Sequence, residues 1–190
     1  MAKPSISKTY PALLAACVVP LGLLLSAATE LPQPEDELKA AVVLSFVRYA
    51  EWPQMQPGNS AITIGVFGRP SFARVLRRTL EGKSVNDRAV RIVELKAPAD
   101  WPTCQVIYFA TDRAPEIKQG LLGPHPRHAL TIGESKAFLD EGGAVNLLLV
   151  DGHMSFEVSR EALERSGISI SSKLLRFGQI RGHGKGEGPG

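Results

Sequence analysis

Cysteine is nearly absent: the chain of 190 residues carries two, Cys17 and Cys104. Two cysteines cannot staple a small scaffold or build a cysteine-rich zinc module. Aromatic residues are sparse at 6%, and histidines number four. Basic clustering is missing as well, the longest cluster being Arg77-Arg78. A nucleic-acid partner calls for a concentrated basic face, so the sequence pI of about 9.0 does not argue for one. The formal charge is +3, and removing residues 1–28, which hold Lys3, Lys8 and no acid, leaves 20 basic against 19 acidic residues. What is present is ordinary for a globular protein. Hydrophobic residues make 44% and charged residues 22%, which excludes disorder throughout. Gly (18) and Pro (14) are frequent enough to indicate many turns rather than a helical bundle. The length suits one domain preceded by a leader.

Residues 1–28 read as an export signal. Lys3 and Lys8 form a positive start, Ala12 to Leu25 is apolar, and Ser26-Ala27-Ala28 supplies small residues for cleavage after Ala28. Pro20 and Gly22 interrupt the apolar stretch, which is too short for a secure membrane span. Leu14-Ala15-Ala16-Cys17 has the look of a lipidation motif. The apolar run before Cys17 is short and continues past it, so Cys17 reads as part of the signal core. Either way the domain leaves the cytoplasm, for the periplasm. Cys104 is then single, without an internal disulfide, and it opens an apolar run as a buried thiol would.

Residues 29–34 form a proline-bearing linker, and a first helix is predicted from Glu35 to Glu51. Leu38, Ala41, Val42, Ser45, Phe46, Tyr49 and Trp52 make its apolar stripe, and Pro53 stops it. A strand follows at 61–67, then a turn at Gly68-Arg69-Pro70-Ser71 and a helix to Leu80 with Phe72, Val75, Leu76 and Leu80 inward. Further strands are predicted at 88–95, 106–110 and 128–132, with a helix at 112–122 and a short helical segment at 135–140. Residues 144–150 and 154–158 read as strands joined by the tight-turn pair Asp151-Gly152. Ser159 caps a helix that Gly167 ends, and Lys173 to Ile180 forms a last amphipathic segment. Strands alternating with helices imply an α/β fold. The expected architecture is a three-layer sandwich whose central sheet is mostly parallel, with an antiparallel edge hairpin near the C-terminus. The domain spans 35–180, and the Gly-rich tail 181–190 has nothing to bury.

Catalytic and metal motifs are missing. Gly65-Val66-Phe67-Gly68 is neither a dinucleotide fingerprint nor a Walker loop, and no G-x-S-x-G elbow occurs. His125-x-x-His128 encloses Pro126, which keeps both rings off one helix face. The acids Asp140-Glu141 lack a partner group at a spacing suited to acid–base work. No catalytic residue, metal ligand or cofactor is therefore assigned. An anion or small ligand has one candidate place, the helix start beside Arg69 and Ser71 at the strand carboxyl ends. Two other segments suggest binding. Tyr49, Glu51 and Trp52 put two large aromatics and a charge at a helix end. Ser171 and Ser172 with Lys173 and Arg176 put two hydroxyls and two cations at a helix start, and Lys173 and Arg176, three apart, share one helical face. Aromatics provide contact area and fixed cations select acidic groups.

The sequence resembles the YfiR-like periplasmic domains. The likeness rests on Leu38-Lys39-Ala40-Ala41 leading to Phe46 and Glu51-Trp52-Pro53, and on Ile64-Gly65-Val66-Phe67-Gly68 with Phe72. Gly142-Gly143, Asn146-Leu147 and Phe156-Glu157-Val158 extend it, and Gly167 to Leu175 (Gly-Ile-Ser-Ile-Ser-Ser-Lys-Leu-Leu) is its most distinctive stretch. The resemblance implies an α/β sandwich without enzymatic activity. It implies a periplasmic repressor that binds the periplasmic domain of an inner-membrane diguanylate cyclase or related sensor protein. Such a repressor controls cyclic di-GMP, exopolysaccharide and biofilm formation. Some members bind small molecules and some form homodimers. The family's prototype uses disulfides, and the lone Cys104 departs from that pattern, so redox sensing by an internal bond is not carried over. A small-ligand-binding protein is the alternative reading.

Overall fold

The computed structural model describes residues 34–52, 61–80, 82–96, 101, 104–123 and 128–182. The export signal, most of the linker, Pro53, His125 and the tail beyond Gly182 lie outside these residues. The first helix, α1 (Pro34–Tyr49), begins on the last residue expected in the linker. Proline suits that position because its missing N–H would have no helical partner there. The helix stops short of the expected Glu51, since Ala50 and Glu51 form a short strand, β1 (Ala50–Glu51).

The sheet strands follow as β2 (Ile62–Gly68), β3 (Ser84–Val85), β4 (Arg88–Leu95), β5 (Val106–Ala110), β6 (Leu130–Gly133), β7 (Val145–Val150) and β8 (His153–Ser159). Helices α2 (Pro70–Leu80), α3 (Ala114–Leu122) and α4 (Arg160–Ser166) intervene, and β9 (Ser169–Ile170), α5 (Ser172–Leu175) and β10 (Gln179–Arg181) close the domain. The eight-stranded sheet has the order β10-β8-β7-β6-β5-β2-β4-β3. Pairings from β4 through β2, β5 and β6 to β7 are parallel, whereas β7–β8 and β3–β4 are antiparallel. The expected mostly parallel sheet with a C-terminal hairpin is therefore present. Asp151 (φ 50°) and Gly152 (φ 77°) turn that hairpin with both residues left-handed, as the dipeptide predicts.

Helices cover both faces, giving the expected three layers. On the first face α1, α2, α4 and α5 pack on Ile64, Val66, Val106, Tyr108, Ile132, Val145 and Phe156. On the second, Ile117 of α3 joins Trp101, Ile107, Phe109 and Phe138. Strand β5 serves both because alternate residues point to opposite faces, and all five of its residues are buried. The second core is built around aromatic contacts. Trp101 meets Phe67 at 5.3 Å and Phe109 at 5.5 Å, in edge-on contacts that suit the ring quadrupole. Cys104 is a buried thiol in this layer.

Three expectations need correction. The stripe on α1 is rotated by roughly a third of a turn: Asp36, Lys39, Ala40, Val43, Phe46, Val47 and Ala50 are buried, while Leu38 and Tyr49 are exposed. Hydrophobicity alone assigns Asp36 and Lys39 to solvent, but tertiary partners take both inside. Residues 135–142 form successive turns rather than a helix. The last segment is split as well. The α5 helix lasts one turn, and the chain then runs as β10 parallel to β8, which takes Arg181 out of the expected tail and moves the hairpin inward by one strand. Gly178 lies at that break, where an added Cβ would sit 2.1 Å from the Phe156 ring.

Candidate functional site

The expected site residues fall into two places at opposite ends of α1. From Asp36 to Tyr49 the helix advances about 20 Å. At its N-terminal end lies the crevice where the chain leaves neighbouring strands for opposite faces, from β2 into α2 and from β5 into α3. Open α/β sheets bind ligands at such a switch point. Here Arg69 fills it. Its backbone N–H donates to Ala110 O at 3.1 Å. Its guanidinium donates to Asp36 Oδ1 and Oδ2 at 3.0 and 2.8 Å and to Glu134 Oε1 at 3.1 Å.

Glu134 is the hub of this arrangement. Its Oε2 accepts from Lys39 Nζ at 2.7 Å and from the Tyr108 hydroxyl at 2.8 Å, and Lys39 also pairs with Glu35 at 2.7 Å. Burial pushes the Glu134 carboxyl up, but bonds and charge from Lys39, Tyr108 and Arg69 hold it below the ordinary carboxylate value. Burial pulls Lys39 down, and bonds to Glu134 and Glu35 more than reverse it. Tyr108 is raised well above its ordinary value, first by burial and then by the neighbouring Glu134 charge. The cations here are already matched by carboxylates of the same chain, and Ser71 stands nearby as the second residue of α2. The arrangement anchors α1 to the sheet. Glu134, Lys39, Asp36 and Tyr108 were not singled out by sequence. A usable signal existed in two charged residues, Arg69 and Glu134, each placed directly after an apolar strand.

At the other end of α1 the structure brings the two suspected binding segments together. Strands β1 and β9 pair antiparallel, Ala50 opposite Ile170 and Glu51 opposite Ser169. Ser171 N donates to Tyr49 O at 2.9 Å, and Ser169 Oγ donates to Glu51 Oε2 at 3.2 Å. The Ser171 hydroxyl accepts from Lys173 N and starts α5. Tyr49, Glu51, Ser172, Lys173 and Arg176 are exposed around this junction, and Arg176 lies over the Phe177 ring at 4.7 Å. Trp52 is half-buried against the first core. Its buried Nε1 has no hydrogen-bond partner among the described residues. Arg69 and Ser71 are not part of this surface.

A feature that sequence reading missed adjoins it: a groove of about 400 Å³ between α4, β9, α5 and β10. Val158, Leu163, Ile168, Ile170, Leu175 and Ile180 line it, with Arg160 and Glu164 also on its wall. The residues come from five elements, so no local pattern announces it. Among the described residues, no group of three or more His, Cys, Asp or Glu side chains is placed to hold a metal ion. None of the described helices is long and apolar enough to cross a membrane.

Three comparisons bear on these features. A search of curated proteins gave no match. Among solved structures, the fold is similar to a conserved domain protein from Vibrio cholerae O1 biovar El Tor str. N16961, with a TM-score of 0.51 and 13% sequence identity. That likeness covers 76% of this chain and 59% of the other, and it speaks to fold alone. The YfiR/HmsC-like family model matches residues 36–179, from the anchoring carboxylate of α1 to the first residue of β10. Asp36, Lys39, Arg69, Tyr108 and Glu134 of the anchor and both paired strands lie within that match, and the chain belongs to the YfiR/HmsC-like family.

Proposed function

We propose that the chain is an exported, non-catalytic regulator that binds the periplasmic sensor domain of an inner-membrane diguanylate cyclase or a related sensor protein. Family membership supports a regulatory role exerted through protein–protein contact. The observation that carries the reading is the pairing of β1 with β9. It joins the segment that carries Tyr49, Glu51 and Trp52 to the segment that carries Ser172, Lys173 and Arg176, which supports a binding surface that draws aromatic area from one and cations from the other. Centres of protein interfaces are rich in such aromatic and cationic anchors.

The regulator would bind one conformer of the sensor more tightly and so shift its population. Driving a sensor from 1:99 to 99:1 takes an affinity ratio of about 10⁴ between conformers. Cyclic di-GMP output, and with it exopolysaccharide and biofilm, would then follow occupancy. The test is to express Trp52→Ala and Lys173→Glu variants in the native host and measure cyclic di-GMP. Loss of a central tryptophan anchor costs about 2 kcal/mol or more, so cyclase output should rise. Unchanged output from variants that fold and reach the periplasm removes this surface from the mechanism.

A further inference from the structure

The groove beside the paired strands adjoins β10, the outermost strand of the sheet among the described residues. β10 gives one edge to β8, from Gln179 opposite Glu157 to Arg181 opposite Ser159. Its outer edge pairs with no strand among the described residues. Such an edge is a template for another extended chain, because its outward N–H and C=O groups are unpaired. Ile180 of this strand is 47% exposed and also lines the groove, while Phe177, at 64%, stands just before the strand begins. Leu163, Ile168 and Leu175 line the groove from the helical and β9 sides. An edge strand beside an apolar groove is the setting for strand addition. There the main chain supplies affinity and alternate side chains supply specificity.

Charge decides which chain fits. Arg160 on the groove wall, Lys173 on α5 and Arg176 directly after α5 form no ion pair among the described residues, and they outnumber the one acid on the wall, Glu164. A second copy would bring the same three cations with it, and its own β10 has a single apolar side chain, Ile180, to offer. An acidic flank on the incoming segment would match these cations.

We propose that this edge receives an extended segment of a partner protein, apolar at alternate positions and acidic at its ends, as a ninth strand of the sheet. The proposal rests on the regulatory reading above and specifies how the partner is held. Alternate side chains enter the groove, and the acids face Arg160, Lys173 and Arg176.

The test uses the full exported chain and a labelled synthetic peptide, Asp-Asp-Val-Thr-Val-Thr-Val-Thr-Asp-Asp. Strand addition uses only one of the two alternating sets of peptide amides. N-methylation of that set should weaken binding about tenfold, equivalent to 1.4 kcal/mol, and N-methylation of the other set should not. Exchanging the four aspartates for lysine should also weaken binding, as should Ile180→Asp in a variant whose melting curve is unchanged. Amide exchange within Gln179–Arg181 should slow on peptide binding. Absence of binding, equal effects of the two N-methylated sets, or indifference to the lysine exchange overturns the proposal. So does prior protection of the β10 amides in a dimer of the free chain, which would assign the edge to a second copy. If the cyclase sensor domain binds while the β10 amides stay unprotected, strand addition fails and the regulatory reading stands. If the peptide behaves as expected while deleting the protein from its host leaves cyclic di-GMP unchanged, the regulatory reading fails alone.

Discussion

Replacing Lys39 with methionine separates the charge of the α1 anchor from its packing. Methionine keeps a long unbranched stem, so the apolar contacts that a buried lysine makes are largely retained. Two charge-assisted bonds are lost, to Glu35 and to Glu134, both at 2.7 Å. The Glu35 carboxylate is 37% exposed and returns to water at a cost of at most about 1 kcal/mol. The Glu134 side chain is 14% exposed and cannot. Breaking a buried pair from one side costs about 3–5 kcal/mol, but Arg69 and Tyr108 still hold Glu134, so about 2–3 kcal/mol is expected. For a domain of this size that lowers Tm by about 5–10 °C. The pH dependence identifies the cause. Glu134 is depressed in the folded state, so its contribution is present above the ordinary carboxylate value of 4.5 and disappears as pH falls through the folded value. Lys39 is raised, so its contribution is present below 10.5 and disappears as pH rises through its folded value. Urea unfolding followed by circular dichroism should show the full difference between wild type and variant at pH 7 and a smaller one at pH 3. A loss under 0.5 kcal/mol at pH 7 would refute the anchor (below the usual scale for buried pairs), and an equal loss at both pH values would assign it to packing.

Three further outcomes follow from local geometry. Gly178→Ala puts a methyl 2.1–2.7 Å from the Phe156 ring, so unfolding in urea should show a loss of about 1–3 kcal/mol. Exchange of the β10 amides should accelerate in the same variant. Gly167→Ala meets no atom closer than 3.6 Å, but its φ of 68° is left-handed. A loss of about 1 kcal/mol from backbone strain alone is expected in calorimetry, and an unchanged melting point contradicts it. Cys104, 1% exposed, should resist an aromatic disulfide reagent in the native protein and react fully in urea, whereas rapid native labelling would show the second core to be open.

Sequence reading succeeded wherever the determining interaction is local. Ser159 caps α4 by accepting from Ala162 N, and Gly167 ends it, because both effects act within one helical turn. The Asp151-Gly152 hairpin is equally self-contained. The two binding segments were also visible, since aromatics and cations at helix ends are local features. Their adjacency was not, because Glu51 and Ser169 meet across 118 residues of chain. The α1 stripe failed for a related reason. Periodicity treats charge as outward-facing, and nothing near Lys39 in the sequence indicates that Glu134 will meet it from the end of β6.

The amino-acid sequence by itself determined the layer architecture, the alternation of strands and helices, the turn positions and the family, because patterning and turn chemistry operate over a few residues. Only the tertiary structure decided which face of α1 is buried, that Arg69 serves an internal anchor, and that the segments after α1 and before α5 pair as strands. It alone produced β10 and the groove beside it. Those outcomes depend on charges desolvated together and on a strand edge left open, conditions that exist only after distant segments have packed.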